Sequence, residues 1–357
     1  MDSDDVPQED MLPLVSIICP IFNEEDAIPL FFARLKCTLQ PLELQYHFEL
    51  IFTNNGSTDG SVERILQIRK DHPFVQLITL SRNFGYQASL ISGLTNATGD
   101  VFIVIDVDCE DPPEMIPIFL EGWREGYDVV YGQRDKRPES ALLQVARKFF
   151  YRMTRSIADS DFILDMAEFS LFNNRICEVL LSNRSTFPFL RNEIGYAGFR
   201  RKAIPYERQH RVHGQTHYNL WAMTRFAIGG ILSSSTFPLR GMAYCGIPLG
   251  ALDVSMAATR LVVHYPQDLI PLVLANLGAL TIGLAFVSIY IARIYKDQIQ
   301  RPRFIVDRIN TYLNGRSAID DIGRSDQWTL EESRFGRQKE SNSVATTHGG
   351  ARRARTS

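Results

Sequence analysis

Short apolar runs alternate with longer amphipathic stretches along the first 135 residues of the chain. The apolar runs are rich in β-branched and aromatic residues, which are enriched in strands. They are LVSIIC (14–19), FELIFT (48–53), VQLITL (75–80), VFIVID (101–106) and DVVYG (128–132). The stretches between them have apolar residues at helical spacing. Because continuously apolar strands that alternate with helices are typical of a sheet covered on both faces, the pattern predicts an α/β fold with a mostly parallel sheet.

The pattern becomes less regular after Arg134. A helix is expected near Ala141–Ile157, and short strands are expected within GYAGFRRKAIPYER (195–208). The segment Asn219–Ser235 is amphipathic and precedes an apolar region, so we expect it to lie in a membrane interface.

Two apolar segments follow. Leu269–Ala292 runs for 24 residues without a charge, and as a helix it would be about 36 Å long, enough to cross a hydrocarbon core of about 30 Å. A long buried helix of a globular domain is the alternative. Gly241–Thr259 is apolar except for Asp253 but is interrupted by two glycines and a proline, so it predicts either a first span or a re-entrant arm. The sequence therefore predicts a C-terminal transmembrane helical hairpin.

Charge around the hairpin predicts its orientation. From Arg293 onward there are 13 Lys/Arg against eight Asp/Glu, whereas residues 261–268 carry no Lys or Arg. The positive-inside rule then puts the C-terminus in the cytoplasm, and with two spans the N-terminal domain is cytoplasmic too.

These features divide the chain into five regions. They are an acidic disordered tail (1–12), an α/β domain (13–218), an interface helix (219–235), a membrane region of about two helices (236–294) and a basic cytoplasmic tail (295–357) that is disordered after about residue 314.

Composition excludes several classes of protein. The 38 Lys/Arg and 41 Asp/Glu give a net charge of −3, which argues against a nucleic-acid binder. The five cysteines include no C-x-x-C pair, so neither a zinc ribbon nor a disulfide framework is indicated. The acidic N-terminus is the opposite of a secretory signal or transit peptide.

An acidic cluster follows the fourth predicted strand. Asp106, Asp108 and Glu110 stand at alternate positions, and three such carboxylates can converge on one cation. Hard oxygen ligands favour Mg²⁺ or Mn²⁺. The alternative is that these acids only cap the next helix.

Polar clusters also follow three other predicted strands, at 20–25, 53–60 and 80–85. Each cluster by itself is typical of a turn or a helix cap. Because ligands of parallel α/β sheets bind at the carboxyl ends of the strands, the clusters together predict a nucleotide pocket.

Six motifs, in order, carry a family resemblance. They are P-x-F-N-E-E (20–25), N-N-G-S-x-D-G-S (54–61), L-S-R-N-F-G (80–85), D-x-D-x-x-D-P-P-E (106–114), W-R-E-G-Y-D-V-V-Y (123–131) and R-x-x-G-Q-T-x-Y (211–218). From about Pro13 to Arg308 the chain resembles family-two glycosyltransferases of the polyprenyl-phosphate type, the relatives of bactoprenol glucosyltransferase and dolichol-phosphate mannose synthase.

The resemblance implies a nucleotide-diphospho-sugar transferase (GT-A) fold and an inverting transfer of one sugar from a nucleotide sugar to a polyprenyl phosphate. It implies a multi-pass protein of the inner (cytoplasmic) membrane with a cytoplasmic catalytic domain, acting in cell-envelope glycan or lipopolysaccharide modification. The implied partners are the nucleotide sugar, the polyprenyl phosphate and membrane lipid, with no nucleic acid; a homo-oligomer is left open.

Site residues follow from the motifs. The resemblance implies that Glu24 and Asn55 contact the nucleoside, that Asp106, Asp108 and Glu110 lie at the metal and diphosphate, and that Glu168 matches the acidic position proposed as catalytic base. The remaining donor-site candidates are Pro20, Asn23 and Arg82. Because guanidinium groups bind phosphate bidentately, the candidates for the acceptor phosphate are Arg134, Arg208 and Arg211, with His217. Arg211 is also a catalytic candidate, together with Asp108 and Glu168.

Five positions depart from the family pattern. Asn55, Glu110 and Glu168 stand where aspartate, glutamine and aspartate are usual, Ser170 replaces an arginine and His217 replaces a lysine. These departures motivate one alternative, a non-catalytic membrane scaffold of the same fold. A processive glycan synthase is the other, although the Q-x-x-R-W motif of that class is absent. Since an asparagine can both accept from and donate to a pyrimidine base, Asn55 predicts a UDP-sugar donor.

Overall fold

A computed structural model describes residues 12–134, 166–183, 190–209, 236–263 and 270–314. Within these ranges the chain forms seven strands. They are β1 (Leu14–Ile21), β2 (His47–Asn54), β3 (Val75–Thr79), β4 (Val101–Val104), β5 (Val129–Arg134), β6 (Met166–Asn173) and β7 (Arg201–Tyr206). The five strands predicted before residue 135 are present, and β7 lies within the predicted segment 195–208. The predicted helix at 141–157 and interface segment at 219–235 lie outside the described residues.

The described ranges contain eight α-helices, of which the first three alternate with strands β1 to β4. They are α1 (Ala27–Leu39), α2 (Ser61–Asp71), α3 (Tyr86–Asn96), α4 (Ile116–Arg124), α5 (Asn174–Ser182), α6 (Leu190–Ala197), α7 (Phe237–Val263) and α8 (Ile270–Gln298). Short 3₁₀ turns lie at Gln40–Leu42 and Pro113–Met115. The second begins at Pro113, directly after Pro112, and proline suits the start of a helix because it lacks the N–H that would stay unpaired there.

All seven strands form one mixed sheet in the order β3-β2-β1-β4-β6-β5-β7. Strands β1 to β4 are parallel, as predicted for this half of the domain. β6 was not predicted and runs antiparallel to both of its neighbours, β4 and β5. Its sequence, MAEFSLFN, is buried along nearly its whole length despite its Glu and Ser, so its pattern does not resemble the other buried strands.

The core has two layers, one on each face of the sheet. Successive side chains of β1 lie on opposite faces of the sheet. Ile17 lies in the layer beneath α1 and α4, and Ile18 lies in the layer beneath α3, α5 and α6. Because both faces are covered, the central strands are mainly apolar, which explains why they were recognisable in the sequence.

The C-terminal helices differ in apolar character. Within the described residues, one helical segment, Val273–Gln298, is long and apolar enough to cross a membrane, with a mean hydropathy of 1.9. The segment predicted as either a span or a re-entrant arm is helical throughout in α7, with Pro248 inside the helix. Asn276 of α8 donates from Nδ2 to both carboxylate oxygens of Asp253 in α7, at 2.9 and 2.8 Å. The second span of the predicted hairpin stays a prediction.

After α8 the chain returns to the edge of the sheet. Leu80 pairs with Val306 in an antiparallel bridge, the Ser81 N–H donates to the Ile305 carbonyl at 2.9 Å, and the Asp307 N–H donates to the Thr79 carbonyl at 2.7 Å. We call residues 304–311 the strap. The strap therefore pairs with the end of β3 and the start of the polar cluster at 80–85.

Candidate active site

The acidic cluster begins at the carboxyl end of β4. Asp106 accepts a hydrogen bond at 2.8 Å from the hydroxyl of Tyr86, the first residue of α3. Burial, and after it the negative charge of Asp108, raise the pKa of Asp106 to about 7. A cation bound near this carboxyl group would stabilise its negatively charged form.

Sheet register brings Glu168 to the same cluster. In the antiparallel pairing of β4 with β6, Val104 lies opposite Ser170. Asp106 follows the end of β4 by two residues, and Glu168 precedes Ser170 by two residues on β6. The charge of Glu168 contributes to the raised pKa of Asp106, so the two carboxylates lie near each other. Glu168 is buried, and its carboxylate lies 2.9 Å from Nε of Arg191 in α6.

The rest of the acidic cluster is tied to two of the predicted phosphate-binding arginines. The Asp108 carboxylate accepts from the Glu110 N–H at 3.0 Å, and Glu110 forms an ion pair with Arg208. Asp111, which is buried, accepts from the Tyr206 hydroxyl and lies 3.5 Å from the Arg134 guanidinium. Both arginines thus stand at the acidic cluster, and each has an acidic partner.

The donor-side residues link the ends of β1 and β2. Asn23, which has a φ of 57°, receives a hydrogen bond from the Thr58 N–H at 2.8 Å, and its own N–H donates to the Ser57 hydroxyl at 3.0 Å. The Glu24 N–H donates to the Ser61 hydroxyl at 3.0 Å. Pro20 lies within β1, paired with Thr53, at the same end of the sheet.

Asn55 contacts the loop after β3. Its Oδ1 accepts from the Phe84 N–H at 2.9 Å, and its Nδ2 donates to Oδ1 of Asn83 at 3.1 Å. Arg82 in the same loop places its guanidinium 3.9 Å from the centre of the Phe84 ring. Asn55 therefore holds the loop as well as lying where the resemblance implies a nucleoside contact.

Two predicted residues, Arg211 and His217, lie outside the described ranges. Tyr86 and Arg191 stand in the acidic cluster but were not predicted. Tyr86 directly follows the L-S-R-N-F-G motif, which could have drawn attention to it. No motif near Arg191 indicates a functional role for it. Its partner Glu168 lies on β6, a strand that the sequence pattern did not predict.

Comparisons with known proteins identify the family of this chain. The sequence profile of glycosyl transferase family 2 matches residues 16–205. The chain belongs to glycosyl transferase family 2. This family-2 glycosyltransferase is 33% identical over 302 residues to the glycosyltransferase YkcC of Bacillus subtilis (strain 168), covering 82% of this chain and 93% of that protein.

A second relative carries a more specific name. The bactoprenol glucosyl transferase of Shigella phage SfX is 32% identical over 304 residues, covering 82% of this chain and 98% of that protein. Among solved structures, the mannosyltransferase PcManGT from Pyrobaculum calidifontis, in complex with GDP-Man and Mn²⁺, is 18% identical, with 80% of this chain and 85% of that chain covered and a TM-score of 0.44.

Two of the three predicted metal ligands have the chemistry that a divalent cation requires. Asp106 and Asp108 supply hard oxygen atoms. The pKa of Asp106 is raised first by burial and then by the negative charge of Asp108, and a bound cation would oppose both effects. Glu110 is instead paired with Arg208. Within the described residues no group of three or more His, Cys, Asp or Glu side chains converges to hold a metal, so the three-acid set stays a prediction.

Proposed function

We propose that this family-2 glycosyltransferase moves one sugar from a UDP-sugar to a polyprenyl phosphate, with inversion, at the cytoplasmic face of a membrane. The observation that carries the proposal is that Asp106 and Glu168 lie close enough to interact electrostatically after β4, while Arg191 contacts Glu168 and Arg134 contacts Asp111 of the same acidic cluster. The name of the SfX relative supports the acceptor class.

The donor diphosphate would bind at the acidic end of the site. Asp106 and Asp108 are the residues that would hold Mg²⁺ or Mn²⁺, with Glu110 as the third predicted ligand. When bound, such an ion neutralises charge on the diphosphate leaving group. Tyr86 fixes the direction of the Asp106 carboxylate through its 2.8 Å hydrogen bond, so this ligand is oriented before the donor arrives.

The acceptor phosphate needs little help from a base. Its second pKa is about 6, so it is largely deprotonated at neutral pH. What it needs is positive charge to offset repulsion from the donor diphosphate. Arg134 and Arg208 stand at the site for this task, and Arg211 and His217 are the further candidates. Direct attack by the phosphate oxygen on the anomeric carbon is a single displacement and inverts that carbon.

The membrane arrangement is part of the proposal. The span Val273–Gln298 is followed by Arg301, Arg303 and Arg308, which supports a cytoplasmic position for the end of α8. A second span within 236–263 would complete a multi-pass protein of the inner membrane, with the catalytic domain (13–218) and the basic tail (295–357) cytoplasmic.

The experiment that tests this function uses membranes that contain the full chain. They are incubated with Mn²⁺ and a panel of labelled nucleotide sugars and polyprenyl phosphate, and the lipid is extracted. We expect label in the lipid from a UDP-sugar. Asp108→Asn membranes are the control. A non-catalytic scaffold would give neither labelled lipid nor donor hydrolysis with any donor, and a processive synthase would give polymer in place of a single-sugar lipid.

A further inference from the structure

Arg191 and Glu168 come from separate parts of the chain. Glu168 lies on β6, and Arg191 is the second residue of α6. The first residue of α6, Leu190, donates its N–H to Oε1 of Gln87 in α3 at 3.2 Å. Because Gln87 follows Tyr86, which binds Asp106, the start of α6 is fixed against the same cluster that contains Glu168.

The two oxygens of Glu168 have different surroundings. Oε1 lies 2.9 Å from Nε of Arg191, at an angle too oblique for a hydrogen bond, so the contact is one of charge. Oε2 is buried and has no hydrogen-bond partner among the described residues. A buried carboxylate oxygen without a partner costs free energy unless a ligand supplies a donor.

The negative charge of Glu168 also needs a local partner. Asp106 lies near enough for its charge and that of Glu168 to repel each other. Ser170, two residues along the strand, has a hydroxyl that donates to the Glu168 carbonyl, so it brings no charge to the carboxylate. Among the described residues Arg191 is the cation in ion-pair contact with Glu168.

We propose that Arg191 is a positioning residue: it holds Glu168 as an oriented carboxylate whose Oε2 accepts a hydrogen bond from a hydroxyl of the donor sugar. This inference rests on the proposed function. A carboxylate can only accept, and a deprotonated acceptor phosphate has no hydrogen to give, so the sugar hydroxyls are the substrate groups that match Oε2. Glu168 then contributes to binding of the sugar, and Arg191 acts through it.

A double-mutant cycle tests the inference. The variants are Glu168→Gln, Arg191→Gln, the double variant and Arg191→Lys. Each single glutamine substitution is expected to lower kcat/KM for UDP-glucose by about tenfold to a hundredfold. The double variant should be no worse than the poorer single variant, because both changes remove the same interaction. Arg191→Lys keeps the charge and should recover part of the loss.

Binding supplies a readout that does not depend on the acceptor. The affinity for UDP should be unchanged in all variants, whereas the affinity for UDP-glucose should fall in the glutamine variants, which a general loss of structure would not produce. Lys202→Gln is the matched control, since it breaks an exposed ion pair with Glu125, N–O distance 2.5 Å, at the opposite edge of the sheet.

The possible failures are distinguishable. If the losses of the two single variants multiply in the double variant, Arg191 acts independently of Glu168 and the inference is wrong. If UDP and UDP-glucose lose affinity equally, Oε2 does not contact the sugar and the inference is also wrong. If wild-type membranes transfer no sugar to lipid while UDP-glucose binding follows the expected cycle, the proposed acceptor is wrong and the positioning role stands.

Discussion

Nδ2 of Asn55 donates a hydrogen bond to Oδ1 of Asn83, over 3.1 Å, and so joins the end of β2 to the loop that follows β3. The same Asn83 oxygen also accepts from the Gly85 N–H at 2.9 Å. Gly85 has a φ of 95°, which other residues rarely adopt, and the hydrogen bond holds the chain in this conformation where α3 begins. Asn55, which stands where the family usually has an aspartate, therefore helps to hold the loop before α3, beside the proposed donor site.

Replacement of Asn55 tests this role. Asn55→Ala leaves the Phe84 N–H without its acceptor and removes the donor to Asn83. We expect kcat/KM for the UDP-sugar to fall by roughly tenfold to a hundredfold. Asn55→Asp keeps the acceptor for Phe84 and should stay active. Steady-state kinetics with a UDP-sugar and with a purine-linked donor check both statements; unchanged activity of Asn55→Ala, or preference for the purine donor, would contradict the pyrimidine assignment.

The metal assignment rests on Asp108. Asp108→Asn removes one negative charge at nearly constant volume, so transfer should be abolished while the protein stays folded. Activity is measured at saturating Mg²⁺ and Mn²⁺, and folding by thermal melting. Asp100→Asn is the control, because the Asp100 carboxylate accepts the Leu14 N–H at the amino end of β1, away from the acidic cluster. Near wild-type activity of Asp108→Asn would contradict the assignment of Asp108 as a metal ligand.

The strap should stabilise the catalytic domain through Thr79. The Thr79 hydroxyl donates to the Asn310 carbonyl at 2.7 Å, and Thr79→Val removes this hydrogen bond at similar volume. We expect a loss of about 1 kcal/mol in the free energy of unfolding. Denaturant melts measure it. Thr38→Val is the control, since the Thr38 hydroxyl donates only to a carbonyl of its own helix, that of Arg34. Equal effects of the two substitutions would show that the strap adds no stability through this contact.

Membrane orientation can be measured with a single reactive cysteine. Cys37 and Cys245 are exposed, so both are first replaced by serine. Arg316→Cys in that background should react with an impermeant maleimide only when the cytoplasmic side is opened, because the basic residues after α8 favour that side. Labelling from outside intact cells would overturn the proposed orientation.

The sequence by itself determined the elements whose signals are local. Strands β1 to β4 are apolar because they are buried on both faces, so their runs were readable without neighbours. The motifs at their ends identified the family and the acidic residues Asp106 and Asp108, since a parallel sheet brings the ends of its strands to one edge. The apolar helix at Val273–Gln298 was equally evident from length and charge.

Only the tertiary structure decided which distant residues meet. β6 enters the sheet antiparallel to β4, and Glu168 on β6 interacts electrostatically with Asp106, which follows β4 and is distant from it in the chain. Arg191 reaches Glu168, and Val306 reaches Leu80, through packing between elements that are not neighbours in sequence. Such pairings depend on strand order and register, which are fixed by the burial of the whole sheet rather than by a local pattern. They therefore cannot be predicted from any single segment of the sequence.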